Sequence, residues 1–168
     1  MHASILALLL APALLAQPAP SKADPFAPVS FLVGDWTGEG DGKPGQSLGA
    51  ATYRFELDGK VLVRRSYADV PAANGRPASR HEDLMSLFVE GGVLKAFYLD
   101  SEEHVIRYLV TTVPGGVAFT SEPGPGPRFR LTYLKASETL VTLRFEIAPP
   151  GKPEAFATYL EAKTFKVK

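Results

Sequence analysis

The chain contains no cysteine among its 168 residues, so disulfide bonds and cysteine nucleophiles are excluded and the core alone must hold the fold. It also has no excess of either charge, because 18 basic side chains balance 18 acidic ones. The sequence has no run of basic residues that could bind along the phosphate backbone of a nucleic acid. We therefore expect no nucleic-acid partner.

The sequence also has no apolar run long enough to span a bilayer. Residues 5–15 form an apolar stretch of the length found in the hydrophobic core of secretory signals, and a proline-containing segment follows it. We predict a signal peptide and leader over residues 1–23, a single domain over residues 24–168, and a periplasmic or secreted protein with no membrane span in the mature chain. A buried helix is the alternative interpretation of residues 5–15. At this length one domain is the default.

Tryptophan is scarce, and the single one, Trp36, lies among glycines at alternate positions, Gly34, Gly38 and Gly40. This pattern is typical of the first strand of a small ligand-holding barrel, where the indole closes one end and the glycines let the strand bend. The preceding apolar residues 27–33 are expected to form a short helical plug at that end.

Helical periodicity is absent after this point. Residues 40–45 match the G-x-G-x-x-G pattern of dinucleotide sites, but Pro44 lies inside the match and no amphipathic helix follows. We therefore reject that site. Alternation with period two instead predicts ten strands. They cover residues 35–40, 50–57, 61–67, 81–89, 93–99, 104–113, 117–121, 128–134, 139–147 and 155–167.

Ten antiparallel strands at hairpin spacing would leave two exposed edges unless the sheet closed on itself. The predicted fold is therefore all-β, a ten-stranded antiparallel up-and-down β-barrel with a short N-terminal helical plug. Turns after the even-numbered strands are tight, and a two-residue hairpin is expected at Asp58 and Gly59. Most links after odd-numbered strands are longer and rich in glycine and proline, so we expect the open mouth at that end.

Polar side chains fall at the predicted mouth on otherwise apolar faces. They are Arg65 on strand three, His81 and Asp83 on strand four, and His104 on strand six. Such a set could anchor an anionic head group, or hold a metal through His81, Asp83 and His104. The structural alternative is that these polar side chains simply contact solvent at the rim of the barrel. No metal site is predicted.

Apolar and aromatic side chains are expected to point into the barrel, which with ten strands is wide enough to hold a cavity. Simple core packing is the alternative for each of them. The predicted ligand-binding members of this set are Trp36, Tyr53, Phe55, Met85, Tyr108, Phe129, Tyr133 and Phe145.

The glycines around Trp36, extending to Gly40 and Gly42 and followed by Pro44, resemble the opening of the nitrobindin-like barrels of the calycin group. The resemblance is strongest to their exported, uncharacterised bacterial members. It implies a ten-stranded barrel that holds ferric haem on a histidine near the C-terminus. No histidine follows His104 in this chain, so haem would need a substitute ligand such as Tyr159 or His104.

The function predicted from these patterns is an exported barrel that holds a small apolar or amphipathic ligand, with no cofactor. Three alternatives stay open: a hydrolase- or isomerase-like enzyme with His81 or His104 as general base oriented by Asp83, haem binding without the usual histidine, and a filled barrel acting through its surface. Whether the chain is an enzyme, which ligand it holds and its oligomeric state are left open.

Overall fold

The structure is a computed structural model that describes residues 23–39, 48–72, 75 and 77–167. Two sequence-based predictions lie outside the described residues. They are the signal peptide and leader up to residue 22, and the rejected dinucleotide pattern at residues 40–45.

Ten β-strands follow a short 3₁₀ helix, Ala27–Leu32, which we call the plug. The strands are β1 Gly34–Glu39, β2 Leu48–Glu56, β3 Val61–Val70, β4 Ser79–Glu90, β5 Val93–Asp100, β6 Val105–Val113, β7 Gly116–Ser121, β8 Arg128–Lys135, β9 Leu140–Ala148 and β10 Ala157–Lys166.

The ten strands form one closed antiparallel barrel in which each strand pairs with its neighbours in sequence. β1 closes the ring, because Trp36 pairs with Ala51 of β2 on one side and with Lys166 of β10 on the other. Closure satisfies the backbone donors and acceptors that a flat meander would expose at its edges. The predicted all-β, ten-stranded up-and-down barrel is confirmed, and its form is calycin-like.

The plug seals one end of the barrel. Val29 and Leu32 are fully buried there, and the indole N–H of Trp36 donates a 2.7 Å hydrogen bond to the carbonyl oxygen of Leu32. Phe26, just before the plug, meets Phe55 edge to face at 5.3 Å. Phe55 was predicted to line the ligand site, and this placement is wrong: the ring is 42% exposed and packs on Phe26 at the closed end.

Side chains fill the half of the barrel next to the plug. The largest fully buried ones include Leu62, Met85, Leu87, Val117 and Phe119. Met85 was predicted to bind ligand, but it belongs to this packed half and does not border the cavity described below. Among the described residues, the barrel is therefore packed with side chains near the plug, and the cavity described below lies toward the other end.

The link between β2 and β3 is longer than predicted. It takes four residues, 57–60, because Leu57 and Asp58 both adopt positive φ angles (51° and 54°) before Gly59. Leu57, the last residue of the predicted second strand, is exposed in this turn. The strand register survives the change, since Phe55 still pairs with Leu62.

Candidate ligand cavity

A cavity of about 530 Å³ occupies the half of the barrel away from the plug. Leu32 and Trp36 form its inner end. Its outer end reaches solvent beside two exposed side chains, Glu102 after β5 and Tyr159 on β10. These positions lie at the end with the links after odd-numbered strands, where the sequence predicts the mouth.

Most predicted aromatic site residues do border this cavity. Trp36, Tyr53, Tyr108 and Tyr133 are buried in its wall, and Phe129 and Phe145 are partly buried nearer the mouth. Of the predicted apolar site residues, Phe55 and Met85 alone lie elsewhere.

The tyrosines of the wall form a chain of edge-to-face contacts with Phe119. Tyr53 contacts Tyr133 at 6.5 Å, Phe119 contacts Tyr133 at 5.7 Å and Tyr108 at 6.3 Å, and Tyr98 contacts Tyr108 at 6.3 Å. Burial is the main cause that raises the pKa of all four tyrosines. Their hydroxyls are therefore neutral hydrogen-bonding groups in a rigid aromatic wall.

One side of the mouth is aromatic. Phe129 and Phe145 stack at 5.9 Å with nearly parallel rings, and Tyr159 meets Phe145 at a right angle at 6.1 Å. A register shift in β10 between Thr158 and Leu160 sits beside Tyr159, and such bulges redirect side chains. We call Phe129, Phe145 and Tyr159 the aromatic rim.

A buried ion pair lies deeper in the cavity wall. The Arg64 guanidinium donates hydrogen bonds to Asp83 Oδ2 at 2.7 Å, to Ser66 Oγ at 2.9 Å and to Tyr133 Oη at 2.7 Å. Ser66 Oγ also donates to Asp83 Oδ2, at 2.6 Å. The side chains of Arg64 and Asp83 are only 11% and 4% exposed. Burial alone would lower the pKa of Arg64, but its electrostatic interactions with the Tyr133 oxygen and the Asp83 carboxylate raise it, so the guanidinium stays charged.

Arg65, not Arg64, was the predicted mouth residue, and its inward placement is wrong. The Arg65 side chain is 63% exposed on the outer surface, with Glu56 Oε1 at 3.9 Å. Buried Leu62, Arg64 and Ser66 share the inward face of β3, so the predicted face was shifted by one residue.

The other predicted polar residues do meet at the mouth. His81 Nε2 lies 3.2 Å from Tyr98 Oη, and Tyr98 Oη donates to Asp100 Oδ2 at 3.1 Å. Asp100 Oδ2 lies 2.8 Å from His104 Nδ1, and His81 Nδ1 lies 3.2 Å from Glu102 Oε1. One connected network thus joins both imidazoles. We call His81, Tyr98, Asp100, Glu102 and His104 the polar rim.

Asp100 organises this rim. Its Oδ1 accepts hydrogen bonds from the backbone N–H groups of Glu102 (2.9 Å) and His104 (3.0 Å). Burial opposes ionisation of Asp100, but these bonds and those from the His104 and Tyr98 side chains lower its pKa. The carboxylate is therefore charged although its side chain is 4% exposed.

Tyr98 and Asp100 were not among the predicted site residues, although a signal for them exists. A two-residue turn at Gly91 and Gly92 places Asp100 opposite Asp83 and Tyr98 opposite Met85, and the structure has this register. Cross-strand partners project from the same face, so the inward direction of Asp83 implies that of Asp100.

The residues considered from the sequence for a metal or a haem, His81, Asp83, His104 and Tyr159, all border the cavity. Within the described ranges, no group of three His, Cys, Asp or Glu side chains is arranged to hold a metal ion. β10 carries no histidine, so the C-terminal haem ligand that the resemblance implies is missing. His81 contacts Tyr98 and Glu102 through its two ring nitrogens. We derive no chemistry through haem.

Across the part of the chain that the structure describes, no helix has the length and apolar character to cross a bilayer. The comparisons with protein-family models and with curated proteins give no match for this chain.

Proposed function

We propose that this protein binds a small amphipathic molecule inside its barrel. The supporting observation is the cavity of about 530 Å³, which is enclosed largely by apolar and aromatic side chains, with the Arg64–Asp83 pair in its wall and the polar rim at its mouth. Concave sites of this size and composition are characteristic of small-molecule binding. A barrel that served only as a scaffold would gain stability by filling this space with side chains.

The distribution of side chains orients the ligand. Its apolar body lies between Trp36, Leu131 and Leu143, where few polar groups are available to it. Its polar end lies at the polar rim, where His81 and Asp100 offer hydrogen-bonding groups close to solvent. A molecule bound in this direction buries its apolar surface and keeps its polar groups paired.

Native mass spectrometry of the protein purified from its own host tests this proposal. We expect an added mass that is released on unfolding. Ala162→Phe, on the inward face of β10 and in the cavity wall, should remove that mass by occupying the cavity. Lys163→Phe places the same ring on the exposed outer face of the same strand and should retain it.

Equal ligand content in the two variants would contradict binding inside the barrel. Repeated spectra of the wild-type protein without any added mass, from cells grown under several conditions, would contradict the proposal itself. Circular dichroism and the melting temperature show whether either variant has lost the fold.

A second candidate function, acid–base catalysis, is favoured by one observation. The Asp100 carboxylate orients the His104 imidazole at 2.8 Å, and His104 borders the cavity. The predicted orienting residue, Asp83, instead pairs with Arg64. Such a base would exchange carbon-bound hydrogens of the captured ligand with heavy water, and His104→Gln would stop the exchange. A ligand that keeps its hydrogens and its mass would contradict catalysis.

Export is part of the proposal and is supported by the apolar run at residues 5–15. N-terminal sequencing of the protein from its host should find a chain that begins near residue 17 or residue 24. An intact N-terminus would contradict it.

A further inference from the structure

We propose that the ligand is an organic cation, an amine-bearing molecule with an aromatic or other apolar body. This inference rests on the proposed function, because it names the ligand class for the same cavity. It follows from the charges that border the cavity, from the state of two carboxylates and from the arrangement of the two rims.

The described residues that border the cavity carry more negative than positive charge. Their three carboxylates are Asp83, Asp100 and Glu102, and the single guanidinium or ammonium group is that of Arg64. Arg64 donates hydrogen bonds to Asp83, Ser66 and Tyr133, and its buried Nε has no hydrogen-bond partner in the described part of the chain. Asp83 is paired with Arg64, but Asp100 and Glu102 have only the imidazoles of His104 and His81 beside them. An anionic ligand at the mouth would therefore be repelled by two carboxylates that no described guanidinium or ammonium group neutralises.

Two of these carboxylates, Asp83 and Asp100, lie side by side, and only Asp83 is paired with a guanidinium among the described residues. Asp83 and Asp100 are direct cross-strand partners, an arrangement in which like charges destabilise a sheet. Arg64 neutralises Asp83, whereas Asp100 is held by backbone N–H groups, a tyrosine hydroxyl and His104. In the described part of the chain, the buried Oδ1 of Asp83 also has no hydrogen-bond partner.

The uncharged part of the wall favours the same ligand class. Faces of aromatic rings attract cations, and sites for organic ammonium ions combine such faces with carboxylates. Here Trp36, Tyr53, Tyr108 and Tyr133 border the space that lies below Asp83 and Asp100. The aromatic wall therefore suits the aromatic or apolar body of an organic cation whose ammonium group lies at the polar rim.

The two rims lie on roughly opposite sides of the mouth, because the polar rim belongs to β4–β6 and the aromatic rim to β8–β10 of the ring. An ammonium group placed at Asp100 and Glu102 leaves the attached body free to contact Phe129 and Phe145. A ring in that position can stack on these side chains and reach toward Trp36. The two rims together therefore fit an amine joined to an aromatic group.

The possibility of an anionic head group, one of several left open by the sequence, relied on an inward-facing Arg65. Because Arg65 is on the outer surface and Arg64 is paired with Asp83, the structure does not supply the arginine anchor that this possibility needed.

Three probes of nearly equal shape test the inference: phenylbutylamine, phenylbutanol and phenylbutanoate. Calorimetry gives their affinities, and the fluorescence of Trp36, the single tryptophan, reports whether they occupy the cavity. We expect the amine to bind roughly tenfold or more tightly than the carboxylate, with the alcohol between them.

Two variants remove negative charge from the polar rim, and one control removes it elsewhere. Asp100→Asn and Glu102→Gln should each weaken binding of the amine by roughly threefold to tenfold and leave binding of the alcohol nearly unchanged. Glu82→Gln removes the same charge from the exposed outer face of β4 and should change neither affinity. Glu102 is exposed, so its variant tests the inference even if Asp100→Asn destabilises the fold.

Equal or tighter binding of the carboxylate would overturn the cationic ligand class and leave the proposed binding function standing. Failure of all three probes to bind would overturn the ligand class as well. In that case native mass spectrometry of the protein from its host still tests the proposed binding function independently.

Discussion

At the scale of single residues, β3 shows how one position changes the chemistry of the cavity. Residues 61–67 contain three successive apolar residues and two successive arginines. Alternation alone therefore does not show which face of the strand points into the barrel. The hairpin settles the choice, because Phe55 pairs with Leu62 and inward Tyr53 therefore pairs with Arg64. Arg64 was thus predictable from register, but its partners depend on side-chain packing that the sequence does not specify.

The Arg64–Asp83 pair should matter for stability far more than its neighbour on the outer face. Arg64→Met leaves the Asp83 charge buried without a cation, so we expect a loss of about 3 kcal/mol in the free energy of unfolding. Arg65→Met, on the exposed face, should change it by less than about 0.5 kcal/mol. Denaturant unfolding measures both. Equal effects of the two variants would mean that Arg64 does not form the buried pair.

Asp100 should make stability depend on pH. Its pKa is lower in the folded protein than its ordinary value, so its stabilising effect is present above that value and is lost as the pH falls through the folded pKa. Asp100→Asn should therefore be less stable than wild type at neutral pH, and the difference should shrink in acid. Urea unfolding over a pH series measures this. A difference that does not change with pH would contradict the charged role of Asp100.

At the scale of elements, period-two alternation was sufficient to predict ten strands and their closure, because each strand must bury one face and pair both edges. The ends of the strands were less predictable. The positive φ angles of Leu57 and Asp58 replace the expected two-residue turn by a four-residue one, and this choice depends on local backbone energies. Phe55 likewise faces the plug because of a contact with Phe26 that no strand pattern contains.

The hairpin between β6 and β7 depends on a close backbone approach at Gly116. A Cβ atom there would lie 1.9 Å from the carbonyl oxygen of Tyr133, so Gly116→Ala must displace β8. We expect a loss of about 2 kcal/mol in the free energy of unfolding. Gly126→Ala adds the same methyl group where no atom lies within 4 Å and should be nearly neutral. Equal stability of the two variants would show that β7 and β8 are not packed as described.

At the scale of the whole molecule, the barrel is divided into a packed half beside the plug and an open half beside the mouth. Barrel width follows from the number of strands, so the presence of a cavity was predictable. Its position was not, because it depends on which volume Leu62, Met85 and Phe119 occupy together. The packed half fixes the positions of the strands, and the open half provides the binding site between the two rims.

Titration with a neutral apolar fluorophore such as N-phenylnaphthylamine tests the central claim, that the barrel encloses a ligand site, most directly. The wild-type protein and Lys163→Phe should bind one dye molecule per chain with enhanced dye emission and energy transfer from Trp36. Ala162→Phe, with its added ring in the cavity wall, should bind at least about tenfold more weakly. Binding of equal strength to Ala162→Phe, or no binding to the wild-type protein, would contradict the account.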